Sequence, residues 1–217
     1  MLVNTILVQR SRSCHVKTLH LMLRINLFCM QHGIQQEITY VNDDVNEKAE
    51  IVAKKLKGNA DKLIFFDFGV TMSHDDIPTL LNCTAACAVV AGPTPGVDWG
   101  MFRDKVLKGD AIKEPLAQQG LHFDTDVSHK VKGQDDGVYQ VTRTDPKVWV
   151  MNRKVCADAM KQNKGHGIWV PSRTSDIFDR LIKRDVKVWA LTKISVIVTY
   201  PHECISNILE AAGVRAT

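Results

Sequence analysis

Apolar residues recur along this chain in two rhythms. Short unbroken runs at residues 5–9 (TILVQ), 38–41, 63–66 (LIFF) and 86–91 have the length and composition of buried strands. Between them apolar positions fall three or four apart. Val16, Leu19, Leu23, Leu27 and Met30 predict one amphipathic helix, with Ser13 as its candidate cap and Gly33 as its stop. Ala49, Val52, Ala53 and Leu56 predict a second, over 46–57, that ends at Gly58. Ser73 ahead of Asp75 and Asp76, with Pro78 close behind, predicts the start of a third. Roughly the first ninety residues therefore read β-α-β-α-β-α-β, the alternation of a parallel sheet with helices on both faces.

A Gly-Pro-Thr-Pro-Gly loop at 92–96 closes that half. The second half is less regular: a short helix at 102–108, then a polar stretch at 109–137 read as a long loop or mobile flap. Strands are expected at 138–142, 148–151 and 186–191, with a final buried strand at 194–200. Helices are expected at 152–160, 175–184 and, at the end of the chain, 206–212, and a flexible stretch at 163–167. The whole is an α/β fold with a mostly parallel central sheet, Rossmann-like, and an irregular C-terminal half. Such sheets bind ligands outside the carboxyl ends of their strands, so Gln9, Asn42, Asp43 and Asp67 are expected along one edge.

Composition narrows the class. With 217 residues and 45% hydrophobic content, the chain can build one full-sized core, and a single domain over 1–217 is the expected count. The net charge of +4 comes from scattered Lys and Arg; without a basic stripe, nucleic acid is not an expected partner. Six cysteines form no CxxC pair, and Cys83 and Cys87 beside apolar neighbours read as buried thiols in a reduced, cytoplasmic protein. The apolar run at 19–30 contains His20 and Arg24 and is too short to span a membrane. No GxGxxG follows the first strand, and neither a P-loop lysine motif nor a Gly-x-Ser-x-Gly elbow occurs, which argues against a dinucleotide oxidoreductase, an NTPase or an α/β-hydrolase.

The stretch LIFFDFGVTMSHDDIPTLL resembles the glycosyltransferase A-type domain, in which an apolar strand runs into Asp-x-Asp and then a short helix. Val89-Val90-Ala91-Gly92-Pro93, then Val148–Val155 as a strand turning into a helix, then Ser175-Asp176-Ile177-Phe178 and Val186–Ala190 are similar to the family's later elements, in the same order. The resemblance covers roughly 3–205 and rests on that order more than on any one piece. It implies a nucleotide-binding half over about 1–95 and an acceptor half over about 96–217. It also implies transfer of a sugar, hexosyl or deoxyhexosyl, from a UDP-, GDP- or TDP-linked donor to a hydroxyl of a glycan or protein. Compact relatives of this kind occur in large DNA viruses and in bacteria, so a viral source, and a homo-oligomer or larger assembly, are among its implications.

Roles follow residue by residue. Asp67 would hold the donor or its metal, Asp43 the nucleoside, and Gln9 and Arg10, at the end of the first strand, the base or diphosphate. His202 would be a further metal ligand. Asp176 would be the base that takes the acceptor proton. Trp99 would stack on a sugar ring, with Asp124 and Asp126 in an acceptor-facing flap. Each has a plainer reading: Asp67 as a turn cap, Asp43 or Asp44 as an Asx turn, Asp176 as a helix N-terminal acid, Arg10 and His202 as solvated side chains. The run His122-x-Asp124-x-Asp126-x-x-His129 holds four groups able to bind a metal, but in a polar stretch rather than behind a buried strand. The departure is Gly69, which stands where the family has its second Asp. Two carboxylates on one turn can hold Mn²⁺ or Mg²⁺ against a diphosphate; one alone holds it weakly. Weak or absent metal dependence is thus expected, with a catalytically inactive binding or structural subunit as the alternative.

Overall fold

The computed structural model describes residues 1–10, 13–108, 118–162 and 167–199. The chain forms two compact units, one from Met1–Gly92 and Thr125–Val198, the other including Pro93–Asp124. In the first unit the strands are β1 (Leu2–Gln9), β2 (Gln35–Asn42), β3 (Lys62–Phe66), β4 (Val70–Met72), β5 (Cys87–Val90), β6 (Thr125–Lys130), β7 (Val138–Thr144), β8 (Val148–Asn152), β9 (Val188–Leu191) and β10 (Val196–Val198). Its helices are α1 (Val16–Gln31), α2 (Val45–Leu56), α3 (Ile77–Asn82), α5 (Arg153–Met160) and α6 (Thr174–Lys183); α4 (Trp99–Lys108) belongs to the second unit.

Eight strands make one sheet in the order β2-β1-β3-β8-β5-β9-β7-β6, and β10 pairs with β4 apart from it. The pairings set β8 and β7 against the other six, which all point the same way. Alternation along each central strand builds two cores. Ile6, Val8, Leu63, Phe65, Cys87, Val89, Trp149 and Met151 face α2, α5 and α6. Leu7, Ile64, Phe66, Ala88, Val90, Val148 and Val150 face α1 and α3. Continuous apolar runs are what a strand covered on both faces requires, and a parallel-rich sheet with helices on both sides is the fold class the sequence implies. In the first core the Trp149 ring lies stacked on Phe65 at 4.9 Å, and Phe178 meets it edge-on at 6.1 Å. Burying rings of this size supplies a large share of the apolar area that holds α6 to the sheet.

The structure differs from the sequence reading at several elements. Residues 125–130, read as part of a flap, form the edge strand β6, whose outward residues leave no apolar rhythm to detect. The expected buried strand at 194–200 is three half-exposed residues, Val196–Val198, paired antiparallel with β4. The short β4, with all three residues buried, was not expected. Helix α1 is capped by the His15 ring, which accepts from the Lys17 amide; Ser13 bonds to Arg10 instead. That helix ends where Gly33 takes a φ of +63°, a conformation an L side chain adopts at a cost. Its sheet-facing residues are Thr18, Leu21, Met22, Ile25 and Cys29, whereas the stripe read as core from its spacing lies outside. Of the four tryptophans, Trp149 is buried, Trp99 and Trp189 are half-buried and Trp169 is exposed. Cys87 is buried and Cys83 partly so; burial pushes both thiols up, so neither is a ready nucleophile. Residues 206–212, 163–166 and Cys204 lie outside the described residues, and among those described no helix is long and apolar enough to cross a membrane.

Candidate functional site

The parallel register of β1, β2 and β3 brings their carboxyl ends to one rim. Gln9 stands opposite Asn42, and the Asp43 amide donates to the Gln9 carbonyl at 2.9 Å. Leu7 stands opposite Phe66, so Asp67 emerges one step past β3. The Asp67 amide is fixed by the Lys147 carbonyl at 2.8 Å, just ahead of β8. Three of the residues singled out from the sequence are joined there through a fourth. Arg10 Nε donates to Asp43 Oδ2 at 2.6 Å, Lys48 Nζ to Asp43 Oδ1 at 2.7 Å, and Lys48 Nζ lies 3.6 Å from Asp67 Oδ1. Arg10 also rests on the Phe68 ring, 4.7 Å from its centroid. Two cations and two carboxylates thus alternate along one edge of the sheet.

The two adjacent aspartates are separated by role. Asp44 is the N-cap of α2, accepting from the Asn46 and Glu47 amides at 2.9 Å each. Asp43 is therefore released from capping and faces the cations. Burial raises the Asp43 carboxyl, but hydrogen bonds from Lys48 and Arg10 outweigh it and hold the group below the usual carboxylate range. For Lys48 burial lowers the ammonium, yet Asp67 and Asp43 carry it above the ordinary lysine value. A lysine in the first turn of a helix opposes the macrodipole. With a side chain only 17% exposed, it persists there because both strand-end carboxylates face it. The sequence reading missed Lys48. Its signal was a first-turn lysine five residues after a strand-end aspartate, which looks like any solvated helix face until β3 is placed beside β1 and β2.

Gln9 donates to Asn42 at 3.3 Å and lines a shallow hollow of about 330 Å³ with Asn42, Glu47 and Lys54. Asp176 lies exposed in the first turn of α6 and lines a different hollow, of about 370 Å³, with Trp169, Asp179 and Arg180. Ser172, ahead of α6, bonds to Asn46 in the first turn of α2 at 3.0 Å, so both helices begin at the same rim. Asp176 itself is not among the partners of Arg10, Asp43, Lys48 or Asp67.

The flap residues are dispersed. Asp126 is on β6 and pairs with Arg143 at 3.0 Å. Trp99 and Asp124 belong to the second unit, where Trp99 opens α4 and meets Phe102 edge-on at 5.9 Å. In that unit Asp98 accepts from the Met101 amide at 2.8 Å and from His122 at 3.3 Å, and these bonds hold its carboxyl low.

Among the described residues, the donors do not fit a divalent metal. Gly69 offers no side chain and takes a φ of +72°. Asp67 Oδ1 accepts from the Phe68 amide at 3.0 Å and faces Lys48. No group of three or more His, Cys, Asp and Glu able to hold a metal exists among the described residues, which answers the His122–His129 run as well. His202 lies outside those residues.

No family model and no curated protein matches the chain. Among solved structures it is similar to GalNAc-T7 with UDP, GalNAc and Mn²⁺, at 10% identity and a TM-score of 0.45, over 93% of this chain and 44% of that one, less than half of its length. It is also similar to 4-diphosphocytidyl-2C-methyl-D-erythritol synthase from Anaerococcus prevotii, at 12% identity and 0.47, over 97% and 94% of the two chains. A third is UDP-glucose pyrophosphorylase complexed with UDP-glucose, at 8% identity and 0.46, over 98% of each. The fold class itself rests on the strand order and directions of the eight-stranded sheet.

Proposed function

We propose that this protein binds a nucleoside diphosphate sugar at the rim formed by β1, β2 and β3 and passes the sugar to a hydroxyl acceptor without a divalent metal. The observation that carries the reading is the Arg10–Asp43–Lys48–Asp67 chain of charges at the carboxyl ends of three parallel strands, where ligands of open α/β sheets sit. Arg10 is the most exposed of the four, its side chain 59% exposed, and turning from Asp43 it would meet a diphosphate oxygen. Lys48 would add positive potential where charge builds on the departing diphosphate. Asp43 would then accept from the nucleoside, and Asp67 from a ribose hydroxyl. In the transfer the acceptor oxygen bonds to the anomeric carbon, the bond from that carbon to the diphosphate breaks, and Asp176 takes the acceptor proton. Gln9 would border the nucleoside.

A thermal-shift panel of UDP-, GDP- and TDP-sugars, run in EDTA and again in Mn²⁺, tests this. One donor should raise the melting temperature equally in both. No shift with any donor in either medium refutes the reading. The second reading is a binding or structural subunit without turnover. Gly69 and the mutual neutralisation of the four charges favour it, and donor binding with no product from any hydroxyl acceptor would select it.

A further inference from the structure

The outer face of α1 carries an apolar stripe left open to solvent among the described residues. Val16, Leu19, Leu23, Leu27 and Met30 recur at three- and four-residue spacing and are 78%, 42%, 60%, 47% and 72% exposed. The opposite side of the same helix, Thr18, Leu21, Met22, Ile25 and Cys29, already covers the sheet. The helix is therefore apolar on two faces, and the fold explains one of them. The stripe runs about 21 Å along the axis. It exposes on the order of 500 Å² of aliphatic surface, the size of patch that on a soluble monomer usually marks a contact site.

The charges beside the stripe indicate what it meets. Lys17, His20 and Arg24 flank one side of it, all exposed, and the helix contains no acidic residue from end to end. A second copy docked antiparallel on the same face by twofold symmetry would bring the two basic flanks to one side of the contact, with no acidic residue of either helix to meet them. An anionic lipid surface has the complementary character throughout: headgroups for the basic flank, and an acyl boundary for five aliphatic side chains.

We propose that α1 is the membrane-docking face of this protein and lies along an anionic lipid surface, with Val16, Leu19, Leu23, Leu27 and Met30 entering the headgroup–acyl boundary. The helix lies flat on the bilayer and does not cross it. The inference is independent of what the rim binds.

Vesicle co-sedimentation of the full chain tests it. The probes are phosphatidylcholine vesicles with and without phosphatidylserine, at low and at high salt. Two surface variants, Leu23→Glu with Leu27→Glu and Lys17→Glu with Arg24→Glu, are checked for unchanged melting temperature. Binding should require phosphatidylserine and weaken with salt, and each variant should lose roughly tenfold or more. Light scattering on the same samples detects the alternative occupant. The proposal is overturned if the protein ignores the anionic vesicles or if both variants bind as the parent does. It is also overturned if the protein is a dimer that Leu23→Glu with Leu27→Glu dissociates. If the variants do melt early, quenching of a fluorophore at exposed Gln31 by brominated lipid replaces them, and no quenching refutes the docking.

Discussion

Replacing Lys48 by Met keeps the hydrophobic stem and removes the one charge shared by two strand-end carboxylates. At 2.7 Å from Asp43, and with side chains 17% and 22% exposed, the pair is neither fully solvated nor deeply buried. A charge-assisted hydrogen bond in such a setting contributes about 1.5–3 kcal/mol. Arg10 still serves Asp43 in the variant, so the net loss should be about 2 kcal/mol, a fall of ~4–8 °C in melting temperature for a chain of this size. The sign with pH comes from both partners. The Asp43 carboxyl is lowered in the folded state, so its contribution is present above the unfolded carboxylate range and fades as pH falls through the lowered value. The Lys48 ammonium is raised, so its contribution is complete below the unfolded lysine range and fades as pH rises through the raised value. The gap between parent and Lys48→Met should thus be widest between about pH 5 and 9 and should close toward both extremes. Urea melts at acid, neutral and alkaline pH measure it. Equal stability at neutral pH, or a gap that persists undiminished in acid, refutes the ion chain.

Other outcomes rest on single positions. Gly69→Ala should lose about 1–2 kcal/mol, because its φ of +72° is left-handed; an unchanged urea midpoint would mean the turn is otherwise. Asp176→Asn should abolish transfer while leaving donor binding intact by calorimetry, and retained turnover would remove it from the role of base. Arg143→Ala should shift stability by under about 0.5 kcal/mol, since its pair with Asp126 is exposed on an edge strand; a larger drop in the urea midpoint would contradict that. Trp149→Phe should be far milder than Trp149→Ala, expected to lose about 3–5 kcal/mol, because the indole N–H is buried without a partner among the described residues. Equal losses in the two variants would show that the N–H matters after all.

The first half of the fold was legible because its physics is local. Buried parallel strands such as β3 and β5 read as unbroken apolar runs, and α2 announces itself by its spacing and by the glycine that follows it. The illegible elements depend on partners distant in sequence. β6 is polar along nearly its whole length and is a strand only because β7 lies beside it. β10 is held by β4, itself three residues long. In α1 two apolar faces compete for the sheet, and periodicity alone picks the wrong one. At the site, Gln9, Arg10, Asp43 and Asp67 could be placed from strand ends alone. Lys48 could not, since its meaning lies in the distance from α2 to the end of β3.

Calorimetric titration of UDP-, GDP- and TDP-sugars into the parent chain and into Arg10→Ala, in EDTA, tests the account at its centre. One of the donors should bind the parent without metal and bind Arg10→Ala at least about tenfold more weakly. Binding by none of the three, or equal binding to both proteins, would contradict it.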